Sequence, residues 1–252
     1  MLQALRGLRV GTLSERALER HQRANERTFL ARARAGRDVC WTHDPTDDQP
    51  LVTVRIATYN RGPLIVERAI RSALAQTYSN LEVLVVGDHC DDATAAAVLS
   101  VTDARVRFVN LPARGLYPTD PKARWMVAGT EPMNAALYLA RGHWIAPCDD
   151  DDEFEDDHVE RLLNHALEHR LEHVWSRAAM LEDGRWRVTS GPPLRLGQIS
   201  HGSVLYTAGL RFFKHSDTCW RIPEPGDWNL WRRMAAAGVR MGFLDHLTYY
   251  HH

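Results

Sequence analysis

The sequence has few lysines, few cysteines and no long apolar segment, and each shortage excludes a class of protein. Lys122 and Lys214 are its only lysines, and a formal net charge of -1 gives no overall positive field for nucleic acid or an anionic membrane. The four cysteines lie far apart and form no CxxC pair, so neither a zinc ribbon nor a thioredoxin-like site is predicted. We therefore expect free thiols in a reducing compartment.

Several membrane and cofactor motifs are also missing. No apolar run is long enough for a transmembrane helix, and the arginine-rich N-terminus lacks the apolar core of a signal peptide, so we expect a cytoplasmic protein. The absence of GxGxxG, GxxxxGK[ST] and GxSxG motifs argues against dinucleotide-binding, P-loop and hydrolase sites. The hydrophobic content of 44% and charged content of 25% are those of an ordinary globular protein.

Two segments precede the globular pattern. Residues 1–38 combine many arginines with Leu and Ala, a composition that favours helix, and residues 42–50 are polar and contain two prolines, as a linker does. Residues 1–49 are therefore predicted to be a helical extension and linker. The extension is either an arm that docks on a partner or a membrane surface, which leaves peripheral membrane contact open, or a helix that packs on the main domain.

Short apolar strands alternate with helical segments from residue 50 to residue 152. Strands are predicted at 52–56, 82–87, 105–110 and 143–148, and Thr130 is the predicted cap of the last intervening helix. This alternation predicts βαβ units and a mostly parallel sheet. Residues 153–252 predict a mixed half that completes the same domain: an amphipathic helix, a hairpin at Asp183-Gly184, an irregular region at 190–225, a helix that stops at Gly238, and a strand at 239–244.

An acidic run follows the fourth predicted strand. Eight of the nine residues from Asp149 to Asp157 are Asp or Glu, and carboxylates this close repel one another and raise their pKa values. The preceding strand places Asp149, Asp150 and Asp151 at the carboxyl edge of the sheet, where ligands bind in open α/β folds. A divalent cation with a diphosphate would neutralise them. For the last two acids of the run, the favoured interpretation is a solvated helix N-terminus.

Three sequence blocks occur in a characteristic order: VTVRIATYNRG with its continuation through GDHCDDAT, then PMNAALYLARGHWIAPCDDDDEF, then GDWNLWRRM. Together they resemble family 2 glycosyltransferases of the GT-A fold, over about residues 51–245. The resemblance implies a Rossmann-like, mostly parallel sheet flanked by helices, with a nucleotide-sugar half at 50–152 and an acceptor half at 153–252. It also implies inverting transfer of a sugar from a nucleotide-diphosphate sugar to a saccharide or other hydroxyl acceptor, with Mg²⁺ or Mn²⁺ and no nucleic-acid partner.

The resemblance also implies residue roles. Asp227 is the implied general base, and the metal ligands are Asp151, Asp149 and His251. The implied donor-binding residues are Ala57, Thr58, Tyr59, Asp88, Arg124, Asp149 and Asp150.

Structural alternatives exist for several of these residues. Tyr59 alternatively packs on the sheet, Asp88 and Asp227 alternatively cap a turn or helix, Arg124 is alternatively a surface arginine, and His251 a tail residue. Trp228 and Trp231 line an acceptor site or belong to the core. His201 and His215 are candidates for acceptor contact, although no pattern supports that role.

The sequence departs from the family pattern at two places. Gly87-Asp88 stands where two acids are usual, which leaves the donor nucleotide open, and Gly226-Asp227 stands for Glu-Asp. Two rival functions are a degenerate GT-A nucleotide-binding module without turnover and a sugar nucleotidyltransferase. The segment TYNRGP argues against the second, because it lacks the glycine-rich loop with Arg and Lys that such enzymes carry. The acids at 149–151 and 227 argue against the first.

Overall fold

A computed structural model of the protein describes residues 17, 20–35 and 49–252, and its centre is one nine-stranded sheet. The strands are β1 Val52–Thr58, β2 Leu81–Gly87, β3 Val106–Asn110, β4 Trp144–Asp149, β5 Glu153–Phe154, β6 His173–Glu182, β7 Arg185–Thr189, β8 Val204–Thr207 and β9 Met241–His251.

The helices are α1 at residues 20–35, α2 Pro63–Ile65, α3 Arg71–Leu74, α4 Asp92–Leu99, α5 Pro121–Val127, α6 Thr130–Leu139, α7 His158–Glu168 and α8 Gly226–Ala237. A π-helical segment, Val66–Ile70, joins α2 to α3, and short 3-10 turns lie at His201–Ser203, Ala208–Leu210 and Cys219–Arg221.

The strand order is β3-β2-β1-β4-β8-β6-β9-β5, with β7 paired to β6. Strands β1 to β4 are mutually parallel, β8 is antiparallel to β4 and β6, and β9 is parallel to β6. The predicted fold class is confirmed: a parallel first half flanked by helices continues into a mixed second half. The sheet runs through both predicted halves.

Hydrophobic side chains cover both faces of the sheet. Val54 and Ile56 of β1 pack with Leu162 of α7 on one face, while Tyr206 of β8 packs with Trp231 of α8 on the other. Every residue of β2 is buried, as its continuous apolar run predicts. Both faces of the central strands are therefore covered, and their ends are the part of the sheet that is left for binding.

Three local details differ from the sequence predictions. Gly129, with φ of 78°, is the N-cap of α6, while the Thr130 hydroxyl donates to the carbonyl of Val127 at 2.7 Å. The region predicted as irregular contains β8, which is only four residues long and pairs on both sides. Strand β9 continues to His251, because pairing with β6 resumes after a register shift.

Helix α1 packs on the main domain. Leu30 is buried among residues of α8 and β8, and Glu26 forms a buried ion pair with Arg233. Arg34 donates to both carboxylate oxygens of Glu172, at 2.9 and 2.6 Å. Residues 20–35 therefore follow the packing interpretation of the extension, while the rest of that extension and nearly all of the predicted linker lie outside the described residues. No helix in the described ranges combines the length and apolar character needed to cross a membrane.

Candidate active site

The carboxyl ends of β1, β2 and β4 meet at one edge of the sheet. Their register places Thr58 opposite Gly87 and Ala57 opposite Asp149. A cavity of about 500 Å³ lies at this edge, and we call it the first cleft. Its lining includes every predicted donor-binding residue: Ala57, Thr58, Tyr59, Asp88, Arg124, Asp149 and Asp150.

Asp88 fastens a loop over one end of the first cleft. Its carboxylate is 2% exposed and accepts hydrogen bonds from the Gly115 backbone N–H at 2.8 Å and the Tyr117 hydroxyl at 2.7 Å. Burial and this hydrogen bond raise the pKa of Tyr117. The same loop carries Arg114, whose guanidinium carbon lies 3.6 Å from the centre of the Tyr59 ring. Tyr59 and Arg114 thus form a stacked pair that lines the cleft.

Two arginines form ion pairs and hydrogen bonds with Asp150 and Asp151 of the acidic run. Arg61 pairs with Asp150 at 3.1 Å and with Asp151 at 2.8 Å. Arg68, in the π-helical segment, donates to the backbone carbonyl of Asp151 at 2.8 Å. Arg124 instead donates to two carbonyls of the preceding loop, those of Pro118 and Thr119, each at 3.0 Å.

Asp149, Asp152 and His251 converge on one point. Each offers one ligand atom, and these atoms all lie within 4.8 Å of one another. Asp152 is fully buried and accepts from His251 Nδ1 at 2.7 Å and the backbone N–H of His252 at 2.9 Å, and also from the Tyr249 hydroxyl. Among the predicted metal ligands, the structure therefore brings Asp149 and His251 together, whereas Asp151 pairs with Arg61.

The electrostatics of this group suit a cation. Desolvation and then the Asp152 charge raise the pKa of Asp149 well above its usual range, although 40% of its side chain is exposed. The hydrogen bond to Asp152 raises the pKa of His251 to about 9. A protonated imidazole thus offsets part of the negative charge in the free protein, and a divalent cation fits the same donor set of two carboxylates and one imidazole.

A second cavity of about 350 Å³, the second cleft, lies beside the first. The two share Trp125, Ala128, Met133 and Asp149, and the second cleft also contains His251 and Asp227. Asp227 therefore lies in a cavity that adjoins the predicted donor site.

Asp227 is the second residue of α8, whose N-cap is Pro225. Its carboxylate accepts from the Trp228 backbone N–H at 2.7 Å, and burial raises its pKa. A Cβ at Gly226 would lie 2.8 Å from the carbonyl of Met126, so the close approach of α5 requires glycine at this departure from the family pattern. Trp228 lines the cleft, whereas Trp231 is fully buried in the core.

The sequence analysis did not select Asp152, Arg61 or Arg114 as site residues. The acidic run contained Asp152, but its proximity to His251 depends on β9, which pairs with β5 inside the run, directly after Asp152. Arg61 follows the predicted strand end ATYN by one residue, which is a usable signal. Arg114 lies in a loop whose position is set by hydrogen bonds to Asp88, and no local pattern predicts those bonds.

Comparison with protein families gives one match that covers most of the chain. The family model described as glycosyl transferase family 2 matches residues 53–118 and 130–218. Both matched segments contain residues of the first cleft, and the second also contains the acidic run.

Individual relatives are similar over shorter stretches. The succinoglycan biosynthesis protein ExoO of Rhizobium meliloti is 40% identical over 120 residues, which cover 48% of this chain and 31% of ExoO. The chondroitin synthase of Pasteurella multocida is 32% identical over 169 residues, covering 63% of this chain and 16% of the synthase. The chain therefore spans less than half the length of these two curated relatives.

Solved structures share the fold at low identity. The S. aureus protein TarS, residues 1–349 in complex with UDP-GlcNAc, has a TM-score of 0.61 and 18% identity, covering 79% of this chain and 57% of that one. The mannosyltransferase PcManGT of Pyrobaculum calidifontis, in complex with GDP-Man and Mn²⁺, has a TM-score of 0.58 and 19% identity, covering 96% and 68%. At this level of identity the two structures show a shared fold.

Proposed function

The chain belongs to glycosyl transferase family 2, and from that premise we propose that it transfers a sugar from a nucleotide-diphosphate sugar to an acceptor hydroxyl. The observation that carries this proposal is the junction of the two clefts at Asp149, with the predicted donor residues on one side and Asp227 on the other. In this proposal, residues 50–152 form the donor half and residues 153–252 the acceptor half.

The donor occupies the first cleft in this proposal. The stacked Tyr59 and Arg114 offer a flat surface for the base, and Asp88 holds the loop that carries Arg114. Ala57, Thr58 and Asp150 line the path toward the carboxylates, and Arg61 and Arg124 bring positive charge to the cleft that receives the diphosphate. TarS and PcManGT were solved with UDP-GlcNAc and GDP-Man, which supports a diphosphate sugar but leaves the base to experiment.

We assign the metal to Asp149, Asp152 and His251. Asp151 is the alternative third ligand, and it would have to leave Arg61 to take that place. An imidazole nitrogen beside two carboxylates favours Mn²⁺ over Mg²⁺, because Mg²⁺ prefers oxygen ligands and keeps much of its water. When bound, the cation supplies charge neutralisation for the nucleoside diphosphate as it leaves. The Mn²⁺ in the PcManGT complex is consistent with this choice.

Asp227 takes the proton from the attacking acceptor hydroxyl. Its burial raises its pKa, which makes the carboxylate a better base than an exposed aspartate. The proton moves from the hydroxyl oxygen to a carboxylate oxygen of Asp227 while that hydroxyl oxygen bonds to the anomeric carbon. The bond between the anomeric carbon and the diphosphate oxygen breaks, and the nucleoside diphosphate leaves with the electron pair. A single displacement of this kind inverts the anomeric configuration.

The buried free thiols of Cys90, Cys148 and Cys219 agree with a reducing, cytoplasmic location.

The experiment that tests the proposal is a thermal-shift panel of UDP, GDP, CDP and ADP, each with and without Mn²⁺. A ligand that binds the native state alone raises the melting temperature by mass action. We expect one diphosphate to act only with Mn²⁺, and its effect to be lost in Asp149→Asn and kept in Asp227→Asn. If no diphosphate raises the melting temperature under either condition, the proposal is wrong.

A further inference from the structure

Arg55 is a buried cation without an ionic partner. It lies in the middle of β1 and is 1% exposed. None of the described carboxylates forms an ion pair with it, and its Nε has no hydrogen-bond partner in the described part of the chain. Burying an unpaired charge is costly, so a fold that keeps such a group usually supplies an anion to it.

The contact between Arg55 and His201 fixes the state of the histidine. The Arg55 Nη2 atom lies 3.2 Å from His201 Nε2. A guanidinium has donors and no acceptor, so His201 Nε2 accepts this bond and the ring proton lies on Nδ1. His201 therefore presents an N–H on the side of its ring away from Arg55.

A second histidine, His215, lies next to His201, and in the described part of the chain its ring nitrogens form no hydrogen bond. The centres of the His201 and His215 rings are 5.6 Å apart, and both ring nitrogens of His215 are buried and unpartnered within the described residues. The Asn134 side chain donates a hydrogen bond from Nδ2 to the His215 carbonyl at 3.0 Å and accepts one from the His215 backbone N–H at 2.9 Å, and these bonds fix the position of His215. Buried polar atoms in native proteins are nearly always hydrogen-bonded, so two such nitrogens call for a ligand or ordered water.

The two rings belong to the second cleft. His201 and His215 both line it, together with Asp227. Desolvation and then the Arg55 charge lower the pKa of His215 well below its usual range, so its ring adds no positive charge beside Arg55. The acids that face this region are Asp149, whose Oδ1 lies 3.8 Å from His201 Nε2, and Asp227. We assign the first to the metal and the second to the attacking hydroxyl.

We propose, on the basis of the proposed function, that the acceptor is an acidic saccharide whose carboxylate is bound by the N–H groups of His201 and His215, with the charge of Arg55 behind them. A neutral hydroxyl would satisfy one ring nitrogen and leave the Arg55 charge without compensation. A carboxylate accepts from both rings and also supplies the missing negative charge. The same contact holds the acceptor in the cleft that contains Asp227.

The direct test uses acetate and acetamide, which have nearly the same shape and differ in charge. The ring ¹⁵N resonances of the histidines are followed by NMR while each probe is added at constant ionic strength. We expect acetate to shift the His201 and His215 signals saturably, at least tenfold more effectively than acetamide, with no change at the exposed His169. Equal responses to the two probes, or no response at His201 and His215, would overturn the proposal.

Two variants assign the response to its residues. Arg55→Met and His215→Leu are each expected to weaken the acetate response at least tenfold, whereas His169→Leu leaves it unchanged. If Arg55→Met fails to fold, His215→Leu and its polar counterpart His215→Gln carry the test. An acetate response that survives in His215→Leu contradicts the proposed subsite.

A separate measurement distinguishes this proposal from the proposed function. Nucleoside diphosphate binding with Mn²⁺ reports on the first cleft and is expected to be unaffected by His215→Leu. With a working donor, a uronic acid acceptor should have at least tenfold higher kcat/KM than the matching hexose, and the ratio should fall toward one in His215→Leu. A ratio near one in the native protein would also overturn the proposal.

Discussion

The first and second clefts share Asp149, yet their polar side chains differ in how many hydrogen-bond and ion-pair partners they have. In the first cleft, Asp88, Asp150 and Asp151 already have partners from a loop or from Arg61. In the second cleft, the two ring nitrogens of His215 have no hydrogen-bond partner among the described residues, and its neighbour His201 contacts Arg55, which forms no ion pair with any described carboxylate. The first cleft is built from the ends of parallel strands and is preorganised in the free protein. The second is lined by residues of several helices, strands and loops, and in the proposed subsite a ligand completes the hydrogen bonds of His215.

The largest expected effect separates chemistry in the second cleft from binding in the first. In Asp227→Asn, turnover should fall about 10²–10⁴-fold, because the variant has no carboxylate to accept the proton. Nucleoside diphosphate affinity, measured by calorimetry with Mn²⁺, should stay the same. Because burial raises the pKa of Asp227, the native rate should rise as pH increases through that raised pKa.

Asp183→Asn is the control for this prediction, because Asp183 lies exposed in the β6–β7 turn. Its turnover should match that of the native protein. A rate for Asp227→Asn within about threefold of native would remove Asp227 from the mechanism.

The second prediction concerns the metal at the junction of the clefts. Asp152→Asn should weaken Mn²⁺ binding roughly 100-fold, as expected when a carboxylate ligand becomes an amide. Asp151→Asn should change it by less than about threefold, because Asp151 is engaged with Arg61. Calorimetric titration of Mn²⁺ into each variant measures these affinities. A larger loss of affinity in Asp151→Asn than in Asp152→Asn would make Asp151 the ligand.

The third prediction concerns acid sensitivity in residues 153–252, the proposed acceptor half. His158 and His173 are fully buried there, and desolvation lowers the pKa of each to about 3. In the unfolded chain these histidines have the ordinary pKa of about 6.5, so they bind protons below that pH, whereas in the folded protein they stay neutral down to about pH 3. The free energy of unfolding is therefore highest above about pH 6.5 and falls as the pH drops toward 3. At pH 5 each of the two histidines should lower the free energy of unfolding by about 2 kcal/mol relative to pH 7.

Chemical denaturation at pH 7 and pH 5 measures this loss. His158→Asn should reduce the difference between the two pH values, whereas His169→Asn, at an exposed position, should leave it unchanged. An unchanged difference in His158→Asn would show that other groups cause the acid sensitivity.

The smallest expected effect tests whether the first cleft is preorganised. Asp88→Asn keeps one oxygen acceptor and loses the negative charge that holds the Gly115 N–H and the Tyr117 hydroxyl. Nucleoside diphosphate affinity should fall about fivefold, which corresponds to the loss of roughly 1 kcal/mol of hydrogen-bond strength. Asp103→Asn, on the surface beside Arg105, is the matched control. Identical affinities in the two variants would mean that the loop is held by other contacts.

The same contrast explains how far the sequence could predict the protein. Strand ends are local features, so the apolar runs before Thr58, Gly87 and Asp149 predicted that the proposed donor residues lie along one edge of the sheet, and they line one cavity there. The structure of residues 153–252, the proposed acceptor half, depends on distant pairings. Strand β8 is short, and the position of β9 beside the acidic run follows from its pairing with β5 and β6. The local sequence around Arg55 predicts an ordinary strand residue. Its environment could not be predicted because it depends on His201, which lies 146 positions away in the chain.

The contact between Asp152 and His251 joins residues 99 positions apart in the chain. During translation the acidic run leaves the ribosome long before β9 is made. Partial chains therefore hold the acids without the imidazole and without the strand that positions it. The proposed metal site is therefore complete only late in synthesis, and we expect a protease that removes only the last residues of β9 to abolish metal binding while leaving most of the sheet intact.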